Sequence, residues 1–173
     1  MNPVYIGWPK GSPRGSHERA IRAVLIVTAA IALGGGLLGA RPAAADPIGQ
    51  IKTASGAVSI ERAGARLPAA AGDRVEQSDV VTTGKDGAVG ITFQDNSMMS
   101  LGPDSALALD RFKFDSTTHE GAFESSLKRG TLSVRSGYIV QQGPPGEAMK
   151  VRTPAAILGV RGTEFVVRAE APR

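Results

Sequence analysis

Few residues of this chain could do chemistry. Of its two histidines, His17 lies in a basic N-terminal segment, so His119 is the one imidazole of the main body, within a polar run. One histidine can be matched to a serine and an aspartate in almost any chain, so it does not indicate a catalytic triad. The chain has no cysteine, which excludes a cysteine nucleophile, a disulfide scaffold and a thiolate zinc site. We interpret His119 as a solvated loop residue.

Carboxylates are the other candidates for catalysis or metal binding. Asp110, Asp115 and Glu120 recur every five residues, without the alternating acids and glycine of a calcium loop. We interpret them as charges that face solvent from strands. A carboxylate pair for glycoside cleavage stays open, because the distance between two acids cannot be read from sequence. The sequence predicts no catalytic residue, no metal site and no cofactor.

The basic character of the chain belongs to its first 45 residues. Twenty basic and sixteen acidic residues give a net charge of +4. Five of those basic residues and one acidic residue precede position 46, so residues 46–173 carry no net charge. Binding to a phosphate backbone needs a clustered positive surface. We therefore predict no nucleic-acid partner.

Residues 1–45 have the features of a signal for export. An uncharged run, 23–40, follows basic residues, and small residues end at Ala45, which predicts a signal peptide cleaved after Ala45. The alternative is an uncleaved anchor in the inner membrane, since about eighteen apolar residues can span a bilayer. Three glycines within the run favour cleavage, because glycine weakens a helix. We predict an exported domain over 46–170, with membrane contact only if the segment is uncleaved.

The body of the chain has the pattern of short strands. Apolar residues alternate with polar or small ones from Ile48 onward, most clearly at Val89, Ile91 and Phe93. The intervening turn formers are Ala63-Gly64, Lys85-Asp86-Gly87, Asp95-Asn96, Gly102-Pro103, Arg129-Gly130 and Pro144-Pro145-Gly146. This spacing predicts an all-β sandwich or roll of about ten to twelve short strands. Tyr138 and Val140 are read as part of one of them.

One stretch, 104–120, lacks internal glycine and proline and could form a helix. Its apolar residues change parity between Leu107/Leu109 and Phe112/Phe114. A bulge or strand break near Asp110-Arg111 would reset the alternation and bury both pairs. We favour the bulge and retain the helix as an alternative.

Two stretches of the body carry residue patterns more specific than alternation. The motif positions are Gly84, Asp86, Gly87, Asp95 and Asn96 in the first, and Thr153, Pro154, Gly159, Arg161, Gly162, Thr163 and Phe165 in the second. These motifs resemble the FecR domain family of extracytoplasmic bacterial proteins, and the likeness spans about residues 51–167. The resemblance implies one FecR-like all-β domain. Asn96 stands where the family usually has glycine, a mild change because asparagine tolerates positive φ.

The motif residues also have a physical interpretation as structural positions. Proline restricts Thr153 to an extended conformation, and Gly162 permits a bend or a close backbone approach. Arg161 and Thr163 would then lock a strand corner, with the Arg161 guanidinium tying carbonyls or a carboxylate together. Ligand contact by Arg161 is the less favoured alternative.

The resemblance implies a role in the envelope, with the exported domain in the periplasm. Family regulators have a cytosolic anti-sigma region and a receptor-docking module, and we expect this chain to lack both. The preferred hypothesis is a non-enzymatic sensor or adaptor that binds an envelope protein or cell-wall component. The alternatives are a self-assembling structural protein and, with least weight, a carboxylate hydrolase. The last predicted strand, 163–168, would offer an edge to a partner or a second copy, unless Arg168 and the tail 169–173 protect it.

Overall fold

The computed structural model describes residues 46–162 and 164–170. This part of the chain is mostly strand, which confirms the all-β prediction. The first six strands are β1 (Pro47–Ser55), β2 (Val58–Arg62), β3 (Ala65–Pro68), β4 (Arg74–Glu76), β5 (Val80–Thr83) and β6 (Ala88–Phe93). The next six are β7 (Met98–Leu101), β8 (Ala106–Phe114), β9 (Gly121–Arg135), β10 (Met149–Arg152), β11 (Ile157–Gly159) and β12 (Glu164–Ala169). A short helix, α1 (Tyr138–Gln142), lies between β9 and β10.

The strands form one curled sheet that folds into two halves. The first half-sheet has the order β3-β2-β5-β8-β9-β10-β11, and the second has the order β4-β1-β6-β7-β9-β12. Neighbouring strands are antiparallel, except that β10 runs parallel to β9. The long strand β9 therefore belongs to both halves, and its two ends have different neighbours.

β9 passes from one half-sheet to the other at Gly130. Arg129 still pairs with β8, whereas Thr131 pairs with β12. Gly130 has φ of +92°, and an added Cβ would overlap the backbone and side chain of Ser105. The Ser105 hydroxyl accepts the N–H of Thr131 at 3.0 Å. The predicted turn at this position is thus a bend within a continuous strand.

The core lies between the two half-sheets. Val89, Ile91 and Phe93 of β6 are all buried, as their alternation predicts. The Phe93 ring contacts Phe123 of the opposite half-sheet at a centroid distance of 4.7 Å, and Phe112 packs edge-on to Phe123 at 5.1 Å. Aromatic pairs in these offset geometries add to the free energy gained by burial. The two halves are joined by direct packing as well as by β9.

The parity change in β8 is produced by a bulge. The register between β8 and β9 shifts between Ala108 and Arg111, as predicted. The extra residue allows Leu107, Leu109 and Phe112 all to be buried. The helix alternative for 104–120 is wrong, because 106–114 and 121–135 are strands.

One predicted strand segment is wrong. Tyr138 and Val140 lie in helix α1 rather than in a strand. Ile139 between them is the fully buried residue, and the Tyr138 N–H donates to the Asp95 carbonyl at 2.8 Å. The alternation of Tyr138 and Val140 resembles a strand pattern, but in this single helical turn it is Ile139 that points to the core. Gly137 fits tightly against the 95–97 turn, so the chain leaves the sheet here.

A partly buried ion cluster connects strands at the side of the sandwich opposite β12. The Arg62 guanidinium donates to both Asp79 oxygens, at 2.8 and 2.7 Å, and to Glu76 at 2.6 Å. The Asp79 side chain is 1 % exposed and also accepts the Glu76 N–H. Hydrogen bonding to Asp79 raises the pKa of Arg62 above its ordinary value. No local sequence pattern predicts this cluster.

The signal-peptide and cleavage predictions fall on residues 1–45, outside the described residues, and stay predictions. β1 begins at Pro47, two residues after the predicted cleavage position. Among the helices of the described chain, none combines the length and the apolar character needed to cross a membrane.

Candidate functional site

The glycines of the first motif shape the connection between β5 and β6. The Gly87 N–H donates to the Gly84 carbonyl at 3.0 Å, and the Gly84 N–H donates to the Ala57 carbonyl at 2.8 Å. A Cβ on Gly87 would overlap that Ala57 carbonyl. Asp86 is exposed, and its backbone lies against Gly56. These residues pack the 56–57 and 84–87 connections together, so the motif glycines serve backbone packing.

Asp95 is the buried carboxylate of the motifs. It lies in the connection between β6 and β7, where its Oδ1 accepts the Ser97 hydroxyl at 2.5 Å and the Ser97 N–H at 3.1 Å. Asn96 has φ of +63°, the conformation that asparagine tolerates well. Because the Asp95 carbonyl also holds the N–H of Tyr138, the turn fixes the start of α1.

The other Asp95 oxygen, Oδ2, has no hydrogen-bond partner among the described residues. Burial raises the pKa of Asp95 above its ordinary value, and the Ser97 hydroxyl and N–H oppose this shift. The N–H of Ile139 also favours the charged form, without completing a hydrogen bond to Oδ2. Ionised Asp95 therefore destabilises the folded state at neutral pH.

We expect Asp95→Asn to change how stability depends on pH. A folded pKa above the unfolded value of about 3.8 means that Asp95 contributes most stability below that value and loses it as pH rises through the folded pKa. As the pH falls from about 7 to about 4, the free energy of unfolding of the wild type should therefore rise relative to that of the variant. Urea denaturation at several pH values measures this difference. Asp86→Asn, at the exposed motif aspartate, is the control; a pH-independent difference for Asp95→Asn would contradict the prediction.

The second motif begins with a tight turn between β10 and β11. The Thr153 N–H donates to the Ala156 carbonyl at 2.8 Å, and the Thr153 hydroxyl accepts the Ala156 N–H at 3.0 Å. Pro154 lies inside this turn, where its fixed φ suits the bend. Gly159 lies against the Gly146 carbonyl, where a Cβ would overlap it. Thr153 and Gly159 thus serve backbone geometry.

The rest of the motif carries the chain from one half-sheet to the other. The Ser136 hydroxyl donates to the Gly162 carbonyl at 2.5 Å, and Gly162 has φ of +125°. Arg161 is exposed and forms no ion pair or hydrogen bond through its side chain with another described residue. Thr163 lies outside the described residues, so the proposed Arg161–Thr163 lock stays a prediction. Phe165 is half-buried and packs against the core.

His119 does not lie in a cluster of reactive groups. Its ring stacks on Tyr138 at 4.5 Å and lies parallel to Phe114 at 6.1 Å. It is half-buried, so the expectation of a solvated histidine is wrong about its packing, although it does lie in a connection. No three acidic or histidine side chains within 46–162 and 164–170 gather as a metal-binding group.

The three acids at five-residue spacing have separate roles. Asp110 accepts the Ser126 hydroxyl at 2.5 Å on the outer face of the first half-sheet. Asp115 accepts the N–H groups of Thr117 and Thr118 within its own loop, and these lower the pKa of Asp115. Glu120 is exposed. Their spacing carries no shared chemistry.

The C-terminal part of the chain is similar to a known protein family. The model of the FecR protein family matches residues 79–173, more than half of the chain. The chain belongs to the FecR family. Such domains are generally regulatory or sensor modules of the cell envelope. The match begins after β4, so it covers the C-terminal part of the region, about residues 51–167, in which the sequence resembles the family. No curated protein and no solved structure matches the chain.

One sheet edge is open within the described part of this FecR domain. β12 pairs with β9 and with no other described strand, one residue later than the predicted edge strand. Glu164, Val166 and Arg168 are exposed, with Val166 67 % accessible. Phe165 and Val167 on the opposite face pack against the core. We take this strand as the candidate functional site, because a free strand edge is a template for another strand.

A second edge lies beside it. β11 ends the first half-sheet, and four residues join it to β12, so both edges lie on the same side of the sandwich. Ile157 of β11 is 65 % exposed. The one sequence feature that indicates Ile157 as a surface residue is its position directly after the Thr153–Ala156 turn.

Proposed function

We propose that this FecR-family chain is an exported, non-enzymatic sensor or adaptor module of the bacterial envelope that acts by binding another protein chain. The observation that carries the proposal is the open edge of β12. Its six residues offer backbone hydrogen-bonding groups beside an exposed apolar side chain. Strand addition gains affinity from the main chain and specificity from alternate side chains.

β12 is fixed by its pairing with β9 and by packing against the core, which favours binding over local unfolding. All six β12 residues are in register with β9, from Glu164 opposite Arg135 to Ala169 opposite Gly130. Phe165 anchors the strand to the core. A pre-ordered strand loses little conformational entropy when a partner pairs with it.

The charged groups of the domain support a contact function over catalysis. Glu76 and Asp79 are the two acids that the structure brings onto one guanidinium, and Arg62 neutralises both. Asp95 is buried beneath its own turn. A hydrolase needs one acid that donates a proton and another free to attack or activate water, and neither arrangement offers this.

A photo-crosslinking amino acid at position 166 tests the proposed function in living cells. We expect ultraviolet light to link this position to a protein in the envelope. The matched control is position 61 on β2, which is exposed on the first half-sheet and should give no comparable product. Mass spectrometry of the product also shows whether the chain begins at Asp46, as export with cleavage predicts. The proposal fails if position 166 links to no protein.

A further inference from the structure

We propose that the β12 edge binds the β12 edge of a second copy of this chain, antiparallel, with Val166 at the two-fold axis. This inference rests on the proposed function, because it names the partner that occupies the same edge. It follows from the order of side chains along the strand. A symmetric contact requires a surface that complements itself, and β12 has such a surface.

The exposed face of β12 is self-complementary in charge. Glu164, Val166 and Arg168 alternate with inward residues and share one face. If Val166 lies opposite its copy, each Glu164 lies opposite Arg168 of the second copy. Two opposite-charge pairs then flank an apolar pair. Directly opposite residues of antiparallel strands lie about 4.5–5.5 Å apart, close enough for these pairs to interact.

Neighbours on β9 fit this arrangement. Arg135 lies opposite Glu164, and Thr131 lies opposite Arg168. In the pair of copies, each Glu164 would therefore lie between two guanidinium groups. Within the described residues neither Glu164 nor Arg168 forms an ion pair, so both are available to the second copy.

The inner face of the strand gains from the same register. Phe165 would lie opposite Val167 of the second copy, and both residues are half-buried at the margin of the core. The pairing would cover this margin and join the second half-sheets of two molecules into one continuous sheet. Closing a free edge in this way removes its unpaired N–H and C=O groups from water.

Other symmetric registers of this strand are poorer. A two-fold axis at Val167 would place Glu164 opposite Glu170, a like-charge contact. An axis at Phe165 would place Glu164 opposite Val166 and lose both ion pairs. The charges therefore select the register centred on Val166. The contact is small, since a six-residue strand buries less than the ~1,200 Å² of a standard interface, and we expect a dissociation constant of about 1–100 µM.

Charge reversal tests the pairing in protein purified from the envelope. Glu164→Arg or Arg168→Glu alone places like charges opposite each other twice, and each should raise the dissociation constant at least about tenfold. An equal mixture of the two variants restores both opposite-charge pairs, and its affinity should return to within about threefold of the wild type. Analytical ultracentrifugation measures all three samples. Because a misfolded variant cannot be restored by mixing, this rescue separates pairing from stability.

Cysteine substitution tests the register, in a chain that has no cysteine of its own. Val166→Cys should form a disulfide-linked dimer under mild oxidation, because opposite Cα atoms lie within the range for a disulfide. Arg168→Cys is the control on the same face, since its two copies would lie about 13 Å apart along the strands. Equal linking at both positions would overturn the register.

The outcomes separate this inference from the proposed function. A wild-type chain that stays monomeric up to millimolar concentration, or variants that fail to recover on mixing, would overturn self-pairing. If position 166 then crosslinks to a different protein in cells, the proposed function stands and the second-copy inference alone is wrong. If position 166 crosslinks to no protein, both are wrong.

Discussion

Gly130→Ala is expected to lower the free energy of unfolding by about 4 kcal/mol, a large share of the 5–15 kcal/mol typical of a domain. Gly130 has φ of +92°, which costs an L-residue with a side chain about 1–2 kcal/mol. The new methyl group would also overlap the backbone and hydroxyl of Ser105. Relief requires moving β9 or the 102–105 connection, where Ser105 is hydrogen-bonded to Thr131. Urea denaturation followed by circular dichroism measures the loss.

Gly72→Ala is the matched control for this prediction. Gly72 has a similar φ of +100°, and an added Cβ would meet no atom within 4 Å. The substitution should therefore cost only the backbone strain of about 1–2 kcal/mol. Equal losses at Gly72 and Gly130 would show that the contact with Ser105 is not what holds the bend in β9.

Arg62→Met is expected to lower the free energy of unfolding by about 3 kcal/mol. The variant keeps the length of the side chain but leaves Asp79, whose side chain is 1 % exposed, with a buried charge and only the Glu76 N–H as a donor. Removing one partner of a buried ion pair costs about 3–5 kcal/mol. We expect a loss at the lower end of this range because the Arg62 side chain is 32 % exposed, so the pair is partly solvated. The measurement is denaturant unfolding at neutral pH.

Arg152→Met provides the comparison for a surface ion pair. Arg152 is 52 % exposed and lies 3.0 Å from Glu124 on the outer face of the first half-sheet. Its loss should cost less than about 1 kcal/mol, since water screens exposed pairs and holding two side chains together costs entropy. The interpretation of Arg62 would be wrong if both variants lost the same stability.

The sequence predicts those parts of the fold that depend on local alternation. The inward side of β6 and the bulge in β8 both follow from the parity of apolar residues. Helix α1 was mistaken for strand because a five-residue helix presents too short a pattern to distinguish one period from the other. The identity of Ile139 as its buried residue depends on the 95–97 turn, which is distant in sequence.

Contacts between distant residues explain what the sequence did not reveal. Arg62 and Asp79 are seventeen residues apart, and only the pairing of β2 with β5 brings them together. The candidate site was predictable as a strand from Phe165 and Val167. Its open edge depends on which strands lie beside β9, a question of register that alternation alone does not answer.

The position of β9 in both half-sheets also has a consequence for the order of events during folding. A chain that emerges from a membrane channel by its N-terminus delivers β1 to β8 before β9. Local hairpins can form early, but the halves cannot close around their core until residues 121–135 have arrived. Contacts so far apart along the chain make folding slow. If the chain is exported as proposed, the part that has already crossed the membrane would therefore stay unfolded for most of the translocation and reach its native state near the end.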